Sequence, residues 1–246
     1  MTLNVVGVVC ALAAEARHLG PATRRHEPLT ALADGTLLAV SGMGRTAAAQ
    51  SARALVGAGA TALASWGMAG ALDPVLAPGA VFLPGEVISP NGDSITTTRA
   101  WRERLGAALV SLHPLTEGRL LTSNKAIGSL EDKAALFRET HAAAVDMESL
   151  AIAEVARNHQ LPFIAVRVIV DSAEDALPRA VTAAADKEGH LQMWRLIGTL
   201  ARAPAELAPL IRLARRYRAA SRSLAAVARV GSLAPYAFAT ISDRVS

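Results

Sequence analysis

The sequence predicts an α/β fold with its functional groups at the ends of strands. Two observations carry this. The first is length: 246 residues, 52% of them hydrophobic, suffice for one large α/β domain with a sizeable core. The second is the pattern of Ala142 to Ala173, AAAVDMESLAIAEVARNHQLPFIAVRVIVDSA. Asp146 and Glu148 flank Met147 and open a helix-period run through Leu150, Ile152, Ala153, Val155 and Ala156. Leu161 and Pro162 then introduce a continuous apolar run, Phe163 to Val170, interrupted only by Arg167 and stopped by Asp171. Loop, helix and buried strand follow one another, with carboxylates at the helix start and the strand end. In open α/β sheets the carboxyl ends of strands face the ligand crevice, so Glu148 and Asp171 are expected in one pocket. Each acid also has a plain structural use. Asp146 suits an N-cap, Glu148 a first helical turn, and Asp171 a cap for the next turn.

Taken in order, Asn4 to Leu12 reads as a buried first strand, and AAEARHLG follows as a loop into a helix with Glu15 near its start. Leu37 to Val40 reads as the second strand. The turn Ser41-Gly42-Met43-Gly44-Arg45 comes next, offering backbone N–H groups to an anion or a sugar, and then an Ala-rich helix from Thr46. Ala62 to Ser65 is a third strand entering Trp66-Gly67-Met68-Ala69-Gly70. Pro74 to Val87 leads into a further strand, and Ile88 to Thr98 is expected as loop. A helix over Trp101 to Leu112, a strand over Gly118 to Thr122, a helix over Glu131 to Thr140 and a short strand over Ala143 to Val145 complete the run. Beyond Asp171, Asp175 to Gly189 is polar and loop-like, Leu191 to Leu200 amphipathic, and Pro204 breaks the chain. Glu206 to Val230 then reads as a helix, with Leu207, Leu210, Ile211, Ala214, Tyr217, Leu224 and Val227 at helical spacing. Arg212, Arg215, Arg216, Arg218, Arg222 and Arg229 occupy much of the rest, which fits either a solvated basic face or a helix lying on an anionic membrane.

Composition excludes several classes. No apolar run reaches the ~18 residues of a spanning helix. The start, MTLNVVGVVCAL, lacks a basic n-region, so no secretory leader is expected and a cytoplasmic location is the expectation. A single cysteine, Cys10, excludes an intrachain disulfide framework and argues against cysteine-based metal sites; no metal is expected. The formal net charge is +4, but no zinc pattern or nucleic-acid reading motif accompanies it, so no nucleic-acid partner is expected.

The segments VDMESLAIAEVA and LPFIAVRVIVDSAED resemble the signature of the purine nucleoside phosphorylase and methylthioadenosine/S-adenosylhomocysteine nucleosidase superfamily. The resemblance covers roughly residues 4 to 175. It implies a three-layer phosphorylase/hydrolase-like fold: a central mixed β-sheet flanked by helices, forming a single domain over 1–246 with a basic helical C-terminal extension over 203–246. It also implies an enzyme that breaks a purine–ribose bond without a cofactor. Carried onto this chain, it implies catalytic roles for three acids. Asp171 donates a proton to purine N7, Glu148 holds the ribose hydroxyls, and Glu15 activates water. Substrate contacts are implied for Met147, Gly44, Arg45, Gly67, Met68, Ala126 and Ile127. If the enzyme is instead a phosphorylase, phosphate is the co-substrate, and Arg17, Arg24 and Arg25 are the nearby anion-binding groups.

Three departures bear on the substrate. Where the nucleosidases carry a TGSAGGL-like run, this chain has Trp66 and Met68 in place of the threonine and the serine. Where their SGDxFI segment stacks an aromatic on adenine, this chain has Ala126 and Ile127. With the arginine-rich tail, these features are similar to the hopanoid-associated phosphorylases, or adenosylhopane nucleosidases. That branch implies release of adenine from adenosylhopane to give ribosylhopane, a small-molecule or adenosyl-lipid substrate, peripheral membrane contact through 206–230, and a homo-oligomer, expected as a homodimer. An ordinary methylthioadenosine/S-adenosylhomocysteine nucleosidase, a nucleoside phosphorylase, and a non-catalytic nucleoside- or lipid-binding protein remain alternatives.

Overall fold

The computed structural model describes residues 5–26, 28–110, 115–176, 207–230 and 233. The readings for Asp175–Gly189 beyond 176, for Leu191–Leu200 and for Pro204 lie outside the described residues. The first strand is β1 (Val6–Cys10), followed by a one-turn helix α1 (Ala13–Ala16). Two strands that the sequence pattern did not suggest come next, β2 (Ala22–His26) and β3 (Leu29–Leu32), and then β4 (Leu37–Val40) and α2 (Arg45–Gly57). β2 carries charged and polar residues on the exposed edge of the sheet, and β3 has only four residues, so neither shows the apolar signature of a long buried strand.

The third expected strand is longer than its apolar run. β5 spans Ala62–Ala71 and continues straight through the Trp66–Gly70 segment that follows the expected strand. After it come β6 (Val81–Phe82), β7 (Glu86–Ile88), β8 (Ser94–Thr96), α3 (Arg99–Leu109), β9 (Leu115–Thr116) and β10 (Arg119–Thr122). β8 lies inside the stretch expected as loop, and its three residues are too short to show a period. The described chain ends with α4 (Leu130–Thr140), β11 (Ala142–Asp146), α5 (Ser149–Asn158), β12 (Phe163–Asp171) and α6 (Leu207–Val230).

Among the described residues these strands form one twelve-stranded mixed sheet whose main path is β2-β3-β4-β1-β5-β11-β10-β7-β8. β4, β1, β5 and β12 run parallel; β11 pairs antiparallel with the end of β5, at Gly70 and Ala71. β5 therefore joins two half-sheets, and their strand ends converge beside Gly70. One face is covered by α2 and α5, whose Ala48, Ala52, Leu55, Ile152 and Ala153 pack with Leu63 and Ile169. The other face holds α3 and α6, with Trp101, Leu105, Ala220, Leu224 and Val227 against Val166 and Val168. The expected three layers and C-terminal helix are thus present. In α6, Ile211 and Ala214 face outward rather than into the core. Ala220 takes the inward place, because the stripe that docks on β12 is carried by the second half of the helix.

Candidate active site

The convergence of strand ends makes a cavity of about 260 Å³. Its walls include Leu12, Glu15, Met43, Met68, Gly70, Ala126, Ile127, Met147, Glu148, Val170, Asp171 and Tyr217. The three candidate acids, distant in sequence, share this one space. All three are buried, with relative exposures of 4% (Glu15), 8% (Glu148) and 5% (Asp171).

Glu15 sits just past β1, in the single turn of α1. Its Oε2 accepts the Leu12 N–H and its Oε1 the Met68 N–H, both at 3.0 Å. Gly67 makes room for it, since a Cβ there would lie 2.8 Å from Glu15 Oε1. Trp66 Nε1–H donates to the Glu15 carbonyl at 3.3 Å, so Trp66 anchors the turn from beneath rather than lining the cavity. Burial raises the Glu15 pKa above the ordinary value; the Arg167 charge and the two backbone bonds pull the other way.

Glu148 follows β11 at the start of α5. Its Oε1 accepts the Gly44 N–H at 2.8 Å, which ties the glycine turn after β4 to the acid after β11. Its pKa is pushed up to about 7, first by burial and second by the neighbouring Asp146 carboxylate. Asp146 itself is structural. It accepts the Ser149 N–H at 3.2 Å, the Thr122 hydroxyl at 2.8 Å and two bonds from Arg167, Nε at 3.0 Å and Nη2 at 2.7 Å.

Arg167 is the residue most missed by sequence reasoning. It is 2% exposed on β12, and Nη2 also donates to Ser65 Oγ (2.6 Å) and Ser149 Oγ (2.8 Å). A small cavity of about 10 Å³ lies between Glu15, Ser65, Trp66, Gly67, Glu148 and Arg167. That is about the room one water molecule needs, and the Glu15 and Glu148 carboxylates at its edge can accept hydrogen bonds from it. The signal was in the sequence: a lone arginine inside a strand buried on both faces must find an acid.

Asp171 closes β12. The β12–β5 register shifts between Ile169 and Asp171, which sets Asp171 opposite Gly70. A Cβ on Gly70 would lie 3.1 Å from Asp171 Oδ1. Oδ2 is bonded by the ammonium of Lys133 from α4, a side chain 1% exposed. Burial raises the Asp171 pKa and Lys133 opposes it.

Met147, Met68, Ala126 and Ile127 line the cavity, and Gly67 backs Glu15. Gly44 reaches the site only through its N–H to Glu148. Arg45 does not reach it: its guanidinium turns to Glu154 of α5 at 3.2 Å. The first turn of α2 points the side chain at the packed helix, so the cavity walls do not include the substrate contact expected of Arg45. Arg17 and Arg24 are exposed, and Arg24 lies on the edge strand β2, separated from β5 by three strands. Neither lines the cavity as an anion site. The side chain of Arg25 lies outside the described residues. Tyr217 of α6, read only as an apolar helix position, supplies an aromatic wall.

No helix among the described residues is long and apolar enough to cross a membrane, and no cluster of metal-ligating side chains is found among them. The same fold occurs in solved structures of low identity. A putative 5'-methylthioadenosine/S-adenosylhomocysteine nucleosidase from Francisella philomiragia matches with a TM-score of 0.68 at 17% identity, covering 93% of this chain and 98% of that one. An S-adenosylhomocysteine nucleosidase from Streptococcus pyogenes, solved with 5-methylthiotubericidin, gives 0.63 at 21% identity over 70% and 86%. Futalosine hydrolase of Helicobacter pylori gives 0.63 at 16% identity over 87% and 98%. No curated protein matches by sequence. The sequence profile of the phosphorylase superfamily matches residues 6–203. A match over that much of the chain, on this sheet and with this pocket, makes the protein a member of the phosphorylase superfamily, an enzyme of the nucleosidase or phosphorylase kind.

Proposed function

We propose that this enzyme hydrolyses the N-glycosidic bond of an adenine nucleoside, and that its substrate is adenosylhopane, released as adenine and ribosylhopane. The observation that carries hydrolysis is the water-sized cavity between Glu15, Glu148 and Arg167. It has no room for a phosphate, and Arg167 is already committed to Asp146, Ser65 and Ser149. Bond cleavage builds positive charge on the ribose and negative charge on the base, as in glycoside hydrolysis. Asp171 would give its proton to purine N7 as the bond to C1′ breaks. Glu148 would hold the ribose hydroxyls and offset the sugar's charge. Water would add to C1′ and yield its proton to Glu15, whose raised pKa makes it the stronger base.

The apolar lining supports a hydrophobic 5′ substituent. Met43, Met68, Met147 and Val170 replace polar walls, and Leu12 is 38% exposed beside the cavity. At about 260 Å³ the cavity is near the low end for ligand sites, so a nucleoside fits while a lipid tail would extend beyond it. Arg212, Arg215, Arg218, Arg222 and Arg229 are exposed on α6. Such a face attracts anionic lipid at about 1 kcal/mol per residue, which suits a substrate presented from a membrane. The compact cavity equally favours methylthioadenosine as a second reading. Adenine release from methylthioadenosine, adenosine and adenosylhopane, with and without phosphate, separates these. Phosphate-independent release, fastest with adenosylhopane, is expected. Formation of ribose 1-phosphate would overturn hydrolysis, and preference for methylthioadenosine would overturn the lipid substrate.

A further inference from the structure

We propose that Lys133 is a positioning residue for the reaction, holding Asp171 by Oδ2 so that Oδ1 faces the base. The inference rests on Asp171 being the proton donor. Lys133 belongs to α4, outside every motif that suggests the site, yet it is 1% exposed. Its ammonium has three donors and meets three acceptors: Asp171 Oδ2, the Ser172 carbonyl at 2.7 Å and the Asp175 carbonyl at 2.9 Å. A neutral amine has only two donors, so this nest fits the charged form. The two carbonyls fix where the charge lies, and the charge fixes the carboxyl.

A buried ion pair is weak evidence for stability, because desolvation offsets the attraction. Its use here is chemical. An acid buried among Gly70, Val170 and Ile127 without a cation would bind its proton too tightly to release it to the purine. The ammonium keeps the acid strong enough to donate. Three charged groups face Asp171 from the elements around it: Lys133 of α4, Asp175 of the turn after β12, and Arg216 of α6. Arg216 pairs with Asp175 at 2.6 Å, so those two charges largely cancel and Lys133 dominates.

The test is the pH profile of adenine release, from whichever nucleoside is turned over, by wild type, Lys133→Met and Lys133→Arg. Loss of the cation raises the Asp171 pKa, so the alkaline limb of Lys133→Met should move up by about one pH unit or more. Its kcat should fall at least about tenfold, with KM changed far less, because the carboxyl is no longer held in line. Lys133→Arg should restore the limb but not the full kcat. Lys133→Gln replaces the methionine variant should that protein not fold. In an Asp171→Asn background, Lys133→Met should have no further effect on the profile. An unshifted alkaline limb in a folded Lys133→Met or Lys133→Gln overturns the role of Lys133. An active Asp171→Asn enzyme overturns the assignment of the acid itself, a separate outcome.

Discussion

Glu148→Gln should make the protein more stable while removing its activity. An ordinary glutamic acid titrates near 4.5 and Glu148 at about 7, first because it is buried and second because Asp146 lies beside it. A carboxyl with a raised pKa contributes stability that is complete below about pH 4.5 and lost as pH rises through 7. Holding the ionised form at pH 8 therefore costs about 3 kcal/mol. Glutamine has the same shape, carries no charge and can still accept the Gly44 N–H. It places an amide nitrogen toward the Met147 N–H and so loses that 3.3 Å bond, at about 1 kcal/mol. The net gain at pH 8 is about 2 kcal/mol, or roughly 4–8 °C in Tm for a chain of this size. At pH 4 the gain vanishes and the variant is slightly less stable. Urea unfolding at pH 4, 6 and 8 reads the difference, and adenine release reads the activity. A gap between the two proteins that does not grow with pH would falsify the claim that Glu148 is held against its own charge.

Three other substitutions probe the site. Asp171→Asn should slow adenine release by about 10²–10⁴-fold. It should also cost roughly 3 kcal/mol in urea unfolding, since Lys133 loses its counter-charge. Gly67→Ala should cut kcat by about 10²-fold with circular dichroism unchanged, because the new Cβ lies 2.8 Å from Glu15 Oε1 and pushes that carboxylate aside. Wild-type kcat in a folded Gly67→Ala protein would remove Glu15 from the chemistry. Arg45→Ala should leave kcat/KM unchanged and cost at most about 1 kcal/mol, as expected for a half-exposed pair with Glu154; a large kinetic defect would return Arg45 to the substrate.

Fold and candidate site were legible to different degrees, for physical reasons. β1, β11 and β12 were plain because both of their faces are buried, which turns a strand into an unbroken apolar run. β2 was not, because an exposed edge strand has no such constraint on its residues, and β3 is too short at four residues to show a pattern. β5 was cut short because glycines at 67 and 70 break up the apolar run that marks a strand. In the folded chain they are strand positions kept bare so that Glu15 and Asp171 can lie against the backbone. The acids stood out because carboxylates at strand ends and helix starts are local features.

The cations that complete the site are not local in the same way. Arg167 and Lys133 lie 21 and 38 residues from the acids they meet, Asp146 and Asp171. Each nonetheless breaks an apolar pattern: Arg167 interrupts a strand buried on both faces, and Lys133 shares a helix face with Leu136 and Phe137, which pack against the third apolar cluster. Four carboxylates, Glu15, Asp146, Glu148 and Asp171, are buried within this one region. Burial that deep resists ionisation of every acid in the group, and the two embedded cations oppose it at different places. Arg167 takes Asp146 outright with two bonds, leaving Glu15 and Glu148 with raised affinities for a proton. Lys133 takes one oxygen of Asp171 and leaves the other free. The division of labour among the acids thus follows from where two basic residues interrupt otherwise apolar surfaces, and those interruptions are what a sequence reader should pursue first.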